Sequence, residues 1–317
     1  MRVTSRSWVL ITALPIALAM ALSALEAAPR KPQKTAQPPD WKKEKETVFF
    51  DNAFEKLVGS RPDYKALAAK RAAPAETDTP GAGGKPGAPW SKLISRETLE
   101  DEVKSFAPVL AADINVPAKF SAGGYRKARR HFTALAAAFA VIAQYDRDVR
   151  WKQQAAGLRE VFAKAGFNAK AGSVNVYNEA KARRDDLTDL IRGGSVTVPD
   201  APAKVTWSKV ADFAPLMMRF ETAYEKRLQG WVASEAAFKS NIDGIKHEAE
   251  ILAMLGRAIQ QDGFELADDE DYQRHAVELE SASRAIVQAV VDGDHAAAQK
   301  AAGRVQLSCT NCHGDFR

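Results

Sequence analysis

The chain has 317 residues, of which 46% are hydrophobic and 27% charged, and its formal net charge is +5. That composition excludes a fibrous or wholly disordered polymer, and the length provides for about two domains with cores of their own. Charges of both signs are mixed throughout, so the excess describes a solvated surface and not a nucleic-acid-binding stripe.

Residues 1–27 read as a secretory signal. Arg2 and Arg6 precede the apolar stretch Trp8–Leu25, and small residues follow, placing cleavage between Ala21 and Ala28. The alternative is an uncleaved membrane anchor, since 18 apolar residues sit at the lower limit for a span, though Pro15 interrupts them. No cysteine lies near the cleavage region, which excludes a lipoprotein, and no other stretch could cross a bilayer. Cleavage removes Arg2, Arg6 and Glu26, a net +1, and leaves +4. The expected location is periplasmic or otherwise exported, and membrane-anchored if the signal stays.

Residues 28–90 read as a basic, Pro-rich tail, a short amphipathic helix expected over Trp41–Val58, and a linker. The linker, Ala72–Pro89, holds four Pro and four Gly in 18 residues. Helical periodicity then takes over, with weak strand signals, so the fold class is all-α. Residues 91–195 carry the patterns Tyr125–Asp146, Asp148–Gly166 and Asn175–Gly194, the last closed by Gly193 and Gly194. "GGSVTVPDAPAK" (193–204) is a second linker. Residues 204–317 carry four more patterns, near 212–229, 237–261, 269–291 and 294–313, with Asp212 and Asp294 as N-caps. The acidic "ADDEDY" (267–272) caps a helix and complements its dipole.

The two helical stretches share a series of short matches. "WSKL" at Trp90 pairs with "WSKV" at Trp207, "FAPVL" at Phe106 with "FAPLM" at Phe213, and His131 with His247. "WKQQAAGL" at Trp151 pairs with "YQRHAVEL" at Tyr272, which sets "LTDLI" (187–191) opposite "CTNCH" (309–313). The order is that of an internal duplication. Two unrelated bundles with a common Ala/Leu bias are the alternative.

Both cysteines of the chain stand in "CTNCHGDFR", at Cys309 and Cys312. C-x-x-C-H is the attachment signature of c-type haem. On a helix the two thiols lie about one turn apart on one face, where each can form a thioether with a porphyrin vinyl group. His313 follows at once and can serve as the proximal iron ligand. A small-loop disulfide would gain little, a zinc site lacks further ligands, and a thiol redox motif normally opens a helix after a strand.

The stretch from Asp271 to Arg317 has an Ala-rich penultimate helix, a "GD" turn and a last helix ending in C-x-x-C-H-x-x-F-R. It resembles the last two helices of the cytochrome c′ family, and the resemblance loosens over the two helices before. It implies a C-terminal four-helix bundle at 204–317 with one haem c per chain, covalently attached through Cys309 and Cys312 and ligated by His313. By position it gives Arg317 the place of a basic residue beside the haem. The preceding 91–195 bundle, a degenerate copy on this reading, has Leu and Ile in place of the haem residues and is expected to be haemless.

In that family the first bundle helix covers the other face of the iron. Here Phe213, Met217, Phe220, Tyr224 and Leu228 share one helical stripe, while Met218 points outside it. Met217 is therefore the candidate sixth ligand, its alternative role being core filling. His247 and His275 read as surface residues, and His131 as a surface or boundary residue. His295 lies 18 positions before His313 on the same helix, too far to reach the same iron.

These features predict an exported monohaem cytochrome that transfers single electrons to a redox partner protein, and not an enzyme. One alternative is a five-coordinate haem protein that captures NO or CO; another is a haemless thiol–disulfide protein. For the first bundle, partner docking, homodimer formation and spacing are all open.

Overall fold

Ser95 starts the first helix: its hydroxyl accepts the Thr98 amide as an N-cap. The computed structural model describes residues 89–317, which form helices and turns with no strand among them. The signal, the 41–58 helix and the first linker, Pro89 apart, lie outside the described residues. Helix α1 (Arg96–Asp113) buries Leu99, Val103, Phe106 and Leu110 at a three-to-four-residue spacing. The sequence reading assigned no helix here, although the Ser95 cap was its available signal.

Helix α2 (Tyr125–Gln144) is Ala-rich, which lets α3 (Ala155–Asn168) approach closely. A Cβ on Gly166 of α3 would come within 3.1 Å of the Thr133 hydroxyl on α2. Phe162 stacks against both Phe132 and Phe139 across this seam, with centroids 6.2 and 5.5 Å apart. Helix α4 (Val174–Ile191), N-capped by Ser173, completes the first set of four.

The segment read as a second linker is strapped down. Arg159 is fully buried, and its guanidinium donates to the carbonyls of Ala203 at 2.9 Å and Pro202 at 3.0 Å. Two residues earlier, a Cβ on Gly157 would fall 2.5 Å from the Pro199 carbonyl and 2.7 Å from Val198. Alanine would favour the helix by up to about 1 kcal/mol, but overpacking costs about 1–3 kcal/mol. Gly157→Ala is thus expected to lower the melting temperature; a thermal scan in which it rises would refute the strapped linker.

The second set begins with α5 (Phe213–Ala223), which runs on through a wider turn at Tyr224–Leu228 to Trp231. The short α6 (Glu235–Ser240) precedes α7 (Ile242–Ala258), α8 (Glu270–Asp292) and α9 (His295–Phe316). Asp269 accepts the Tyr272 amide and Asp294 the Ala297 amide, so both act as N-caps. Gly293 closes α8 in the left-handed region at φ 67°, which accounts for the "GD" turn. Between α7 and α8, Arg257 forms a buried two-point pair with Glu280 at 2.7 and 2.8 Å.

Several sequence expectations are corrected. Asp212 precedes α5 but makes no side-chain cap; it pairs instead with Arg129 of α2. The 237–261 pattern divides at Asn241, because Ser234 caps a separate short helix and Asn241 leaves helical geometry at ψ 24°. "FAPVL" lies inside α1 whereas "FAPLM" opens α5, so these two are not structural counterparts. The "WSK" match does hold: each forms one short helical turn, at Trp90–Lys92 and Trp207–Lys209. Helices α1 and α5 then start at 96 and 213, and α2 and α7 at 125 and 242, a constant separation of 117 residues.

Candidate functional site

Helix α9 carries Cys309, Cys312 and His313 in its last two turns. Both cysteines are free and half-buried, and each packs against the hydrophobic core at its edge. Burial pushes the Cys309 thiol up to about 11, with Cys312 and Glu225 adding to the effect. Burial also raises Cys312, helped by Asp315. Both are therefore protonated thiols at neutral pH. Reactive cysteines sit in electropositive surroundings that lower their pKa, so these surroundings disfavour thiol–disulfide chemistry. His313 is exposed, and no hydrogen bond or ion pair engages its ring among the described residues.

Helix α5 faces α9 in the opposite direction. At its start, Phe213 lies against Phe264 and Tyr272, with centroids 5.6 and 6.3 Å apart, and Tyr272 meets Phe316 edge-on at 5.9 Å. At its end, the Tyr224 hydroxyl donates to the Ala302 carbonyl at 2.9 Å. Met217 lies between these two points on α5, packed against the hydrophobic core. The stripe of α5 is buried at Phe220, Tyr224 and Leu228, half-buried at Met217, and 38% exposed at Phe213. Its cover is incomplete beside the two thiols. Met218 is also half-buried, but of the two methionines Met217 is the one packed against the core.

These residues fit a c-type haem by the chemistry of the donor set. Two neutral thiols share one helical face, an unengaged imidazole follows, and apolar and aromatic side chains stand partly uncovered opposite them. Arg317 is exposed, and no side-chain partner holds it among the described residues.

His275 differs from its sequence reading as a surface residue. Its side chain is 11% exposed, and its ring nitrogen lies 2.8 Å from Asp315. Its backbone carbonyl accepts the buried Ser308 hydroxyl at 2.7 Å. A single residue of α8 therefore holds α9 on both sides of the C-x-x-C-H turn. The missed signal was spacing, since Ser308 and Asp315 flank the motif. His247 was also read as exposed, but it lies against Glu102 at 3.2 Å. His131 lies 3.4 Å from Asp113, and burial lowers its pKa against the opposing pull of Asp113. His295 reaches the Val232 carbonyl, far from His313.

The first helical set closes the corresponding corner with side chains. The Trp151 indole donates to the Leu190 carbonyl at 3.3 Å, and Arg150 donates to the Ile191 carbonyl at 2.8 Å. The Arg150 guanidinium lies 4.6 Å over the Trp151 ring, which also packs edge-on against Phe139. Leu187 is fully buried beneath. No cysteine is present in this set.

Fold and site together define an all-α protein whose last bundle helix ends in a haem-attachment pattern. Residues 266–317 match the family model described as Cytochrome C′, so the C-terminal end of the chain is similar to that family. The match spans α8 and α9 and implies a c-type haem. No curated protein and no solved structure matches the chain. No helix among the described residues is long and apolar enough to cross a membrane.

Proposed function

We propose that this protein is an exported monohaem c-type cytochrome that passes single electrons to a redox partner protein. Cys309 and Cys312 would hold the haem covalently, His313 and Met217 would bind its iron, and Arg317 would place a positive charge beside it. The observation that carries this reading is the juxtaposition on α5 and α9. A half-buried Met217 lies on the inward stripe of α5, and α9 carries two thiols and an unengaged imidazole. When bound, the haem supplies a one-electron iron couple. The protein's own residues set the conditions for it. Phe213, Tyr272 and Phe316 wall off water on one side, and Ser308 and Asp315, held by His275, fix the turn that carries His313. Export is supported by the N-terminal signal pattern and by the fact that covalent haem attachment takes place outside the cytoplasm.

An absorption spectrum of the purified protein tests the reading. Sharp low-spin bands indifferent to carbon monoxide are expected. High-spin bands that shift with the gas would replace electron transfer by gas capture, and a colourless protein from a host able to mature such cytochromes would end both. In the low-spin protein, Met217→Ala should convert the spectrum to high-spin. An unchanged spectrum removes Met217 from the iron.

A further inference from the structure

The two helical sets meet through residues that correspond to each other. Trp90 and Trp207 hold the same place in the two "WSK" turns, and their rings lie 6.2 Å apart. Glu102 and Arg219 hold the same place in α1 and α5, since 102 and 219 differ by the same 117 that separates the helix starts. They form a two-point ion pair at 2.7 and 2.9 Å. Contact between equivalent residues is what a two-fold axis produces, whereas residues off the axis meet reciprocal partners. That reciprocity is present between helices, with the partner residue shifted by one turn. Ser95, ahead of α1, bonds Glu250 of α7 at 3.0 and 2.7 Å, and Asp212, ahead of α5, pairs with Arg129 of α2. Each set's first helix thus reaches the other set's second.

At the axis the two copies differ in sign. The Glu102 and Arg219 side chains are 3% and 9% exposed, and Arg219 also bonds Glu248 at 2.7 Å while His247 approaches Glu102. If the second set paired with another copy of itself, Arg219 would face Arg219 across the axis, each with a Glu248 that Arg227 already shares. Two first sets would bring Glu102 against Glu102. Burying like charges together is heavily disfavoured, and an unlike pair avoids it.

We infer that the first helical set is the built-in partner of the second, and that Glu102 and Arg219 select this pairing within one chain over pairing between like sets of two chains. The α5–α7 face is occupied from within by α1 and α2, so the full chain is a monomer. The role does not depend on the haem.

The test uses the full chain and the E102L/R219L variant, in which Glu248 keeps Arg227 as its partner. Each is unfolded in denaturant, refolded over a wide range of concentrations, and analysed by size-exclusion chromatography with light scattering. The unmodified chain should return at monomer mass throughout. The variant should divide between monomer and dimer, with the dimer fraction rising with concentration. Should the leucine pair lose its helical circular dichroism, E102Q/R219Q replaces it, keeping polar side chains without charge. A folded variant that stays wholly monomeric would overturn the inference. So would a dimeric unmodified chain, or loss of helix in both variants, which would show that the pair holds the fold and does not choose the partner.

Discussion

Replacing Cys309 and Cys312 together with alanine is expected to abolish covalently held haem while leaving the helices in place. The loss should be complete, because these are the chain's only two cysteines. The fold should survive because α9 is anchored elsewhere. Asp294 caps its start, Tyr224 bonds the Ala302 carbonyl, Ser308 bonds His275, and Val305 is fully buried. Two half-buried sulfurs at the edge of the core contribute about 1–2 kcal/mol at most. The measurement is haem absorbance that persists through acid–acetone extraction, read beside far-ultraviolet circular dichroism. A single Cys→Ala variant should keep one thioether and part of the signal. His313→Ala should keep the covalent haem but change its spectrum, since attachment and ligation use different atoms. Covalent haem surviving in the double variant would defeat the proposed attachment.

Much of this was legible in the chain because it rests on local rules. Asp269, Asp294 and Gly293 mark helix ends by their own chemistry, and the C-x-x-C-H spacing is itself the attachment geometry. The stripe Phe213, Met217, Phe220, Tyr224, Leu228 could be drawn at 100° per residue because a helix repeats so regularly. What failed depended on tertiary partners. Asp212 looks like an N-cap, but Arg129 from the other helical set takes its carboxylate. His247 lies off the apolar face of its own helix, yet that side is covered by Glu102 of α1, a partner 145 positions away in sequence. The second linker has loop composition but is held by Arg159 and by the absence of a side chain at Gly157. Amphipathic patterns report how a helix meets one core and are silent about a second, polar interface.

The same interface makes Arg219 the position whose loss should cost most in stability. Arg219→Ala leaves Glu102 with His247 in place of a two-point guanidinium, and Glu248 with the half-exposed Arg227. Removing one partner of a buried ion pair typically costs about 3–5 kcal/mol, which in a structured region of this size lowers the melting temperature by about 6–20 °C. By contrast Lys239→Ala, which breaks a pair that is 70% and 65% exposed, should leave the melting temperature nearly unchanged. The pH dependence follows from Glu102. Burial opposes its ionised form, but Arg219 and then His247 outweigh burial and hold its carboxyl well below the usual glutamate range. A depressed folded-state pKa contributes stability that is fully present above the unfolded value of about 4.3 and is lost as pH falls toward the folded one. The unmodified chain should therefore lose stability as it is acidified below about pH 4.3. In Arg219→Ala the chief depressing charge is gone, so the part of that loss due to Glu102 should shrink, and the two stability curves should converge as the pH falls. Denaturant melts at several pH values would show it, and parallel curves would mean that Arg219 does not hold the Glu102 proton off.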